Sequence, residues 1–174
     1  PVLNKAQREV SVVYALDVSR SVSPAFVGAA LEWAQQANQK GKPAQSRYVV
    51  FGDNAQLVDS PEAVREIAVS DQAGAPKDAV QQGGTNLEQA LNLAALGFAP
   101  NHAKRLVLLS DGNQTQGDVW RAFAQLQIQG VRLFAVPASV AVDNDAWVEA
   151  IEAPVGIRRG ESAVVKVRVF ARGN

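Results

Sequence analysis

Five oxygen-bearing side chains fall at the ends of apolar segments of the sequence. They lie in three stretches, LDVSRSVS, QGGTNLEQAL and LLSDGNQ. The five residues are Asp17, Ser19, Ser21, Thr85 and Asp111. Two carboxylates and three hydroxyls form a set of hard oxygen donors, which Mg²⁺ and Ca²⁺ prefer in proteins. The residue types therefore predict a site for a divalent cation.

The chemistry predicted for this site is recognition. Mg²⁺ takes near-octahedral oxygen coordination and usually keeps several waters. Because the set has few carboxylates and several neutral hydroxyls, the ion would stay electrophilic and attract an anionic oxygen from outside the protein. The sequence offers no general base near Asp17, so we expect binding of an acidic partner and no enzymatic activity.

The composition is that of an ordinary globular domain. The chain has 174 residues, of which 47% are hydrophobic and 20% charged, enough for one well-buried core. Lys plus Arg and Asp plus Glu number 17 each, and Cys and Met are absent. No net charge favours nucleic acid, no thiol chemistry is available, and no apolar run is long enough to span a bilayer. Since the chain starts at Pro1 without Met, we expect a processed piece or fragment of a longer protein.

Apolar runs that alternate with helical periodicity predict an α/β fold with a mostly parallel sheet. Strands are predicted at 10–16, 47–51, 106–109 and 131–136, with a short antiparallel return at 56–58. Helices are predicted to begin near Ser23, Ser60, Asn86 and Asp118, and 70–84 is predicted to be a surface loop.

The predicted strands bring the five oxygen donors together. Asp17 follows the first strand, Asp111 follows the strand at 106–109, and Thr85 begins a helix after a Gly-Gly turn. Ligands of open parallel sheets bind beyond the carboxyl ends of the strands. Three loops from one sheet edge are therefore expected to converge on one point.

The sequence changes character after Pro137. Two strands are predicted at 146–151 and 163–170, and the second alternates Val with Lys and Arg, as a half-buried antiparallel strand does. Two strands alone bury too little surface to be stable. We therefore expect a first domain at 1–142 and the truncated start of an immunoglobulin-like, β-sandwich domain at 143–174.

The five-residue pattern resembles the metal-ion-dependent adhesion site (MIDAS) of von Willebrand factor type A (vWA) domains. The matching motifs are Asp17-x-Ser19-x-Ser21, Thr85 after Gly83-Gly84, and Asp111-Gly112 after an apolar strand. The resemblance covers about residues 8–138. It implies a Rossmann-like, three-layer α/β/α fold with a divalent ion, Mg²⁺ or else Mn²⁺ or Ca²⁺, at the top of its sheet.

The resemblance also implies how the ion is held. Ser19, Ser21 and one of Thr85 or Asp17 would touch the metal directly and the others through water. A Glu or Asp of a protein or peptide partner would complete the coordination shell. Arg20 departs from the family pattern, which often has glycine there.

A guanidinium at position 20 either opposes cation binding by Coulomb repulsion or grips the partner's carboxylate with two hydrogen bonds. We expect Arg20, Asn86 and Asn113 to contact the partner. A type A domain that runs into an immunoglobulin-like start also resembles modules of large bacterial membrane-anchored proteins. That resemblance implies a periplasmic or extracytoplasmic location.

Structural explanations exist for single residues of the set. Thr85 and Glu88 fit a capping box, Ser21 or Ser23 can cap the first helix, and Asp111-Gly112 fits an ordinary turn. His102 is expected in a surface loop. The tryptophans are expected to pack against the sheet or the appendage; they are Trp33, Trp120 and Trp147.

Two other functions remain open. One is a metal-dependent phosphohydrolase with Asp17 or a metal-bound water as nucleophile, although such enzymes usually carry a second Asp where this chain has Ser19. The other is an inactive vWA scaffold, for which Arg20 is the main argument. No Walker motif and no G-x-G-x-x-G supports nucleotide binding.

Overall fold

The computed structural model describes residues 9–69, 79–138, 145–154, 156, 160 and 162–172. The chain divides into two compact units, Pro1–Val140 and Ala141–Asn174. Among the described residues, no helix is both long and apolar enough to cross a membrane.

The first unit is a three-layer α/β/α structure, which confirms the predicted fold class. Its strands are β1 Val10–Asp17, β2 Gln45–Phe51, β3 Ala55–Val58, β4 Ala103–Ser110 and β5 Arg132–Pro137. Its helices are α1 Pro24–Gly41, α2 Pro61–Val69, α3 Leu87–Leu96 and α4 Val119–Ile128. The sheet order is β3-β2-β1-β4-β5. All pairs are parallel except β2 with β3.

The central strands are buried because helices cover both faces of the sheet. Along β1, Val12, Tyr14 and Leu16 face one apolar cluster, to which α1 contributes Leu31. The intervening Val13 and Ala15 face a second cluster that includes side chains of α3 and α4. This explains why β1 is a continuous apolar run, as expected for a parallel strand covered on both sides.

Local capping fixes where the helices begin. Ser23 Oγ accepts a hydrogen bond from Phe26 N at 3.2 Å, and Pro24 occupies the first turn of α1. Asp118 Oδ1 accepts from Trp120 N at 3.1 Å at the start of α4. Both predicted starts are confirmed.

Several strands are longer than the sequence predicts. β4 already begins at Ala103, because Lys104 and Arg105 pair with the first residues of β1 although their side chains are polar. Apolar content marks only the fully buried part of a strand. Of the expected loop at 70–84, residues 70–78 lie outside the described residues, and 79–84 form no helix or strand.

The expected packing of the tryptophans is partly wrong. Trp33 is half-exposed and meets the Tyr14 ring edge-on. Trp120 is 77% exposed and contacts the Phe123 ring on its own helix, because it lies on the outward face of α4. The side chain of Trp147 lies outside the described residues.

The second unit is an antiparallel hairpin of β6 Asp145–Glu152 and β7 Lys166–Arg172. Val148 pairs with Val169, while Arg168 is 3.6 Å from Glu149. The two predicted strands are thus confirmed. The assignment of this segment to an immunoglobulin-like domain stays a prediction.

A buried hydrogen-bond chain ties β1 to α1 and β2. Tyr14 Oη donates to Asn38 Oδ1 at 2.8 Å, and Asn38 Nδ2 donates to Tyr48 Oη at 3.3 Å. Burial, with a smaller contribution from Tyr48, raises the pKa of Tyr14 to about 12. The neutral phenol is therefore part of the folded state.

The raised pKa of Tyr14 predicts alkaline destabilisation. The contribution is intact below pH 10, where Tyr ionises in the unfolded chain, and is lost as pH rises towards 12. It amounts to about 3 kcal/mol at most. Urea unfolding between pH 9 and pH 12 should show a smaller alkaline loss for Tyr14→Phe than for the wild type. Equal losses in the two proteins would contradict the assignment to Tyr14.

Candidate metal centre

The loops after β1 and β4 meet because these strands are neighbours in the sheet. Leu16 pairs with Leu109, so that Asp17 and Ser110 leave the sheet side by side. Hydrogen bonds between Thr85 and Thr115 hold the segment before α3 against the loop after β4. The structure thus brings the three predicted segments to one sheet edge.

Asp17 is buried, and each of its carboxylate oxygens accepts one hydrogen bond and keeps a further acceptor site. The residue is 1% exposed. Its Oδ1 accepts from Ser19 N at 2.9 Å, and its Oδ2 accepts from Ser110 Oγ at 2.6 Å. Burial raises the pKa of Asp17; the hydrogen bonds from Ser110 and Ser19 oppose this shift, while the charge of Asp111 adds to it. Two carboxylates that repel one another at a buried edge favour a cation between them.

The two serines present adjacent hydroxyls. Ser19 Oγ and Ser21 Oγ are 3.0 Å apart. Ser19 is 2% exposed, whereas Ser21 lies at the surface. Since Ser23 caps α1, Ser21 is not needed for that role. One of the two adjacent hydroxyls therefore belongs to a buried residue and the other to a surface residue.

Thr85 is 1% exposed, and it does not cap α3. Asn86 does so, because its Oδ1 accepts from Gln89 N at 3.0 Å. Glu88 Oε2 instead accepts from Asp118 N at 2.8 Å, at the start of α4. The capping-box explanation of Thr85 is therefore wrong: the helix starts one residue later than that motif requires.

A partner from the loop after β4 holds Thr85 in place. Thr85 N donates to Thr115 Oγ1 at 2.8 Å, and Thr115 N donates to Thr85 O at 3.0 Å. Both bonds use the Thr85 backbone, and neither uses its hydroxyl. The side chain is thus buried at the sheet edge for a reason other than capping.

The hydrogen bonds of Asp111 indicate whether a cation fits this site. Its Oδ1 accepts from Asn113 N at 3.0 Å, which closes the predicted turn, and Gly112 has a positive φ of 78°. Its Oδ2 is buried without a hydrogen-bond partner in the described structure. Buried polar atoms are normally paired. A turn thus accounts for one oxygen of Asp111, and a hard cation fits the other.

A cleft of about 190 Å³ opens beside these residues. Its lining includes Ser19, Ser21, Thr85, Arg20 and Asn113, and Arg20 is the only charged side chain in it. Asn86 is occupied as the cap of α3. Contact of Arg20, Asn86 and Asn113 with a partner stays a prediction.

The candidate site contains only two carboxylates, and its other proposed ligands are hydroxyls. Within the described ranges, no group of three or more His, Cys, Asp or Glu residues could hold a metal ion. His102 lies at the amino end of β4, with Nε2 3.1 Å from Glu9 Oε2 and Nδ1 2.8 Å from Pro100 O. It therefore belongs to the opposite edge of the sheet.

The sequence interpretation missed two residues that hold this site together. Ser110 links the two acidic loops: it donates to Asp17 and accepts from Gly112 N at 3.0 Å. Thr115 holds Thr85. Ser110 could have been identified from the sequence, because it ends an apolar strand directly before Asp111. No sequence pattern identifies Thr115 as part of the site.

Solved structures share this fold. An aerotolerance-related membrane protein from Bacteroides fragilis is 23% identical, with 91% of this chain and 81% of that chain covered and a TM-score of 0.55. Manganese-loaded TRAP from Plasmodium vivax is 13% identical, with 76% and 58% covered and a TM-score of 0.56. Proximal thread matrix protein 1 from the mussel byssus, with zinc in its MIDAS motif, is 15% identical, with 74% and 38% covered and a TM-score of 0.54.

No protein-family model and no curated protein sequence matches the chain. The structural neighbours are vWA-domain proteins. The chain therefore has the vWA fold that the sequence motifs indicated.

The Gly83-Gly84 turn should be indispensable to the packing of the three loops. A Cβ at Gly84 would clash with Asp53 Oδ1 and lie 2.7 Å from Thr115 Oγ1, whereas a Cβ at Gly83 would meet only Asp53 Oδ2, at 3.1 Å. Gly84→Ala should lower the free energy of unfolding by about 1–3 kcal/mol, and Gly83→Ala by less. Urea unfolding measures both, and equal losses would contradict the role given to Gly84.

Proposed function

We propose that the first unit is a metal-dependent recognition module. It holds one divalent cation at the carboxyl edge of its sheet and binds a protein or peptide through a Glu or Asp carboxylate. The observation that carries this proposal is Oδ2 of Asp111, which is buried without a hydrogen-bond partner among the described residues, together with the nearby buried carboxylate of Asp17.

Five residues would hold the ion, namely Asp17, Ser19, Ser21, Thr85 and Asp111. When bound, the metal supplies a Lewis-acidic position for an anionic oxygen. The chain supplies the rest: Ser110 orients Asp17, Thr115 holds the backbone of Thr85, and Gly112 allows the turn that directs Asp111 inward.

The charge of the cleft selects the partner. Among the described residues that line it, the charged side chain is Arg20, whereas Asp17 and Asp111 lie outside the lining. A cation and a guanidinium side by side both favour a carboxylate from outside. Arg20, Asn113 and Asn86 are proposed to contact that partner. In the absence of the partner's carboxylate, the positive charge of Arg20 would oppose cation binding.

The metals of the fold neighbours support a divalent ion without choosing one. One neighbour is described as manganese-loaded and another has zinc in its MIDAS motif. Hydroxyl and carboxylate oxygens suit Mg²⁺, Mn²⁺ and Ca²⁺, whereas the absence of His and Cys from the five residues disfavours zinc. Mg²⁺ is the proposed ion.

An enzymatic role with Asp17 as the nucleophile fits the geometry poorly. In a phosphohydrolase with Asp17 as nucleophile, that carboxylate must reach the phosphorus atom. Asp17 is buried and each of its oxygens already accepts a hydrogen bond. The inactive-scaffold hypothesis differs from the binding-module hypothesis, because it predicts no saturable metal binding. We propose a binding module and no enzyme.

We further propose that this module belongs to a bacterial membrane-anchored protein and faces the periplasm or the cell exterior. One fold neighbour is described as a membrane protein. The proposed domains are 1–142, with the vWA fold, and 143–174, the start of an immunoglobulin-like domain. Protease protection of the full-length protein in intact cells and in spheroplasts tests the location.

Two serines in the same segment allow a matched test of the metal site. Ser21→Ala removes a proposed ligand at the surface and should weaken Mn²⁺ binding at least about tenfold with little change in stability. Ser23→Ala removes the cap of α1 and should lower the free energy of unfolding by about 1 kcal/mol with unchanged Mn²⁺ affinity. Calorimetric titration and urea unfolding of both variants are the measurements. The reverse pattern would move the site away from Ser21.

Asp17→Ala should abolish binding of Mg²⁺ and Mn²⁺ to chelator-stripped protein. The fold should persist, because the variant removes a buried charge as well as an acceptor for Ser19 N and Ser110 Oγ. Calorimetry measures the metal and circular dichroism the fold. An unchanged isotherm would refute the assignment of the site, and the absence of any saturable site in the wild type would favour the inactive scaffold.

A further inference from the structure

A second, apolar depression lies beside the metal centre, between α1 and α2. Its volume is about 280 Å³. Its apolar walls are Val18, Val22, Val27, Leu31 and Ala68. We call this depression the α1–α2 groove. It is small for a whole organic ligand, which usually takes 300–1,000 Å³, but it has room for one large side chain.

The groove adjoins the metal centre. Val18 and Val22 come directly before Ser19 and directly after Ser21, and Val22 N donates to Ser19 O at 2.9 Å. The loop that offers two metal-binding hydroxyls thus also forms a wall of the groove.

Gln82 is common to both depressions. It lines the cleft of the metal centre and the groove. Its backbone oxygen accepts from Arg20 N at 2.9 Å, and its Nε2 donates to Ala68 O at 3.2 Å. One residue therefore lines both depressions, and its hydrogen bonds connect the loop of Arg20 with the end of α2.

Gly28 offers a position at which the groove can be filled. It lies within α1 and lines the groove, and a Cβ added there would meet no atom of the described residues within 4 Å. Glycine in the middle of a helix is less stable than alanine, and among the described residues neither a positive φ nor a close contact requires it at this position. A larger side chain can therefore be introduced at this wall without a clash with the described residues.

We propose that the α1–α2 groove binds a large apolar side chain of the same partner whose carboxylate ligates the metal. The partner motif is then a Glu or Asp with Phe, Leu, Ile or Met one to three residues away, a reach of about 10 Å in extended chain. This inference rests on the proposed function of the metal centre. The charged side chains of the described residues that line the two depressions are Arg20 and Arg65, and the Arg65 guanidinium also lies 3.9 Å from Glu62 Oε1. No described carboxylate lines either depression, which suits such an acidic segment.

A displayed peptide library tests the motif. The library has a fixed central Glu with three random positions on each side, and it is selected on the 174-residue protein with Mg²⁺ and again with EDTA. The expected result is Mg²⁺-dependent selection with large apolar residues enriched within three positions of the Glu. Mg²⁺-dependent selection without that enrichment overturns the groove inference alone. Absence of Mg²⁺-dependent selection overturns the proposed function and the groove inference with it.

Gly28→Leu and its control Gly28→Ala test the location. Both should raise the thermal midpoint by about 2–4 °C, because both remove a helix-interior glycine. Only Leu fills the groove, so that the selected peptide should bind Gly28→Leu about tenfold or more weakly and Gly28→Ala unchanged. A version of the peptide with Ser in place of its apolar residue should bind both variants equally.

Two results would overturn the location. One is equal affinity of the selected peptide for Gly28→Leu and Gly28→Ala. The other is a wild-type dimer that Gly28→Leu dissociates in sedimentation, which would assign the groove to a second copy of the chain. Methyl chemical shifts of Val22, Val27 and Ala68 should move on binding of the apolar peptide and stay unchanged with its Ser version.

Discussion

The candidate site of the first unit depends on two carboxylates that are held at one sheet edge. Asp17 is buried there, burial raises its pKa, and the charge of Asp111 adds to this shift. Three of their four oxygens receive hydrogen bonds from neighbouring groups of the protein, and the fourth, Asp111 Oδ2, receives none from the described residues. The surrounding packing therefore holds an unfavourable arrangement that a divalent cation would relieve.

The packing that holds this edge is distributed over the whole unit. Parallel pairing of β1 with β4 places Asp17 beside Ser110, and helices on both faces keep these strands fixed. Glycine is needed where the loops approach most closely, at Gly84 against Asp53 and Thr115. The site is thus a product of sheet topology first and of loop sequence second.

Prediction from the sequence succeeded where the physical cause is local or periodic. Hydrophobic spacing located the helices and strands, and side-chain caps such as Ser23 located their starts. It was less successful where partners are distant in the chain. Ser110 reaches Asp17 across 93 positions and Thr115 reaches Thr85 across 30, and no local pattern records such pairings. The capping box at Thr85 was wrong for a related reason, because Asn86 competes for the same role and Glu88 is occupied by Asp118.

That last contact also limits how the site can respond to a ligand. Glu88 lies in the first turn of α3, three residues after Thr85, and its carboxylate accepts a hydrogen bond from the backbone N–H of Asp118, the residue that caps α4. The loop of Thr85 is therefore mechanically linked to a helix that contributes nothing to the cleft. A displacement of Thr85 then has one of three consequences. The chain between Thr85 and Glu88 bends, the Glu88–Asp118 hydrogen bond breaks, or the amino end of α4 moves together with Thr85.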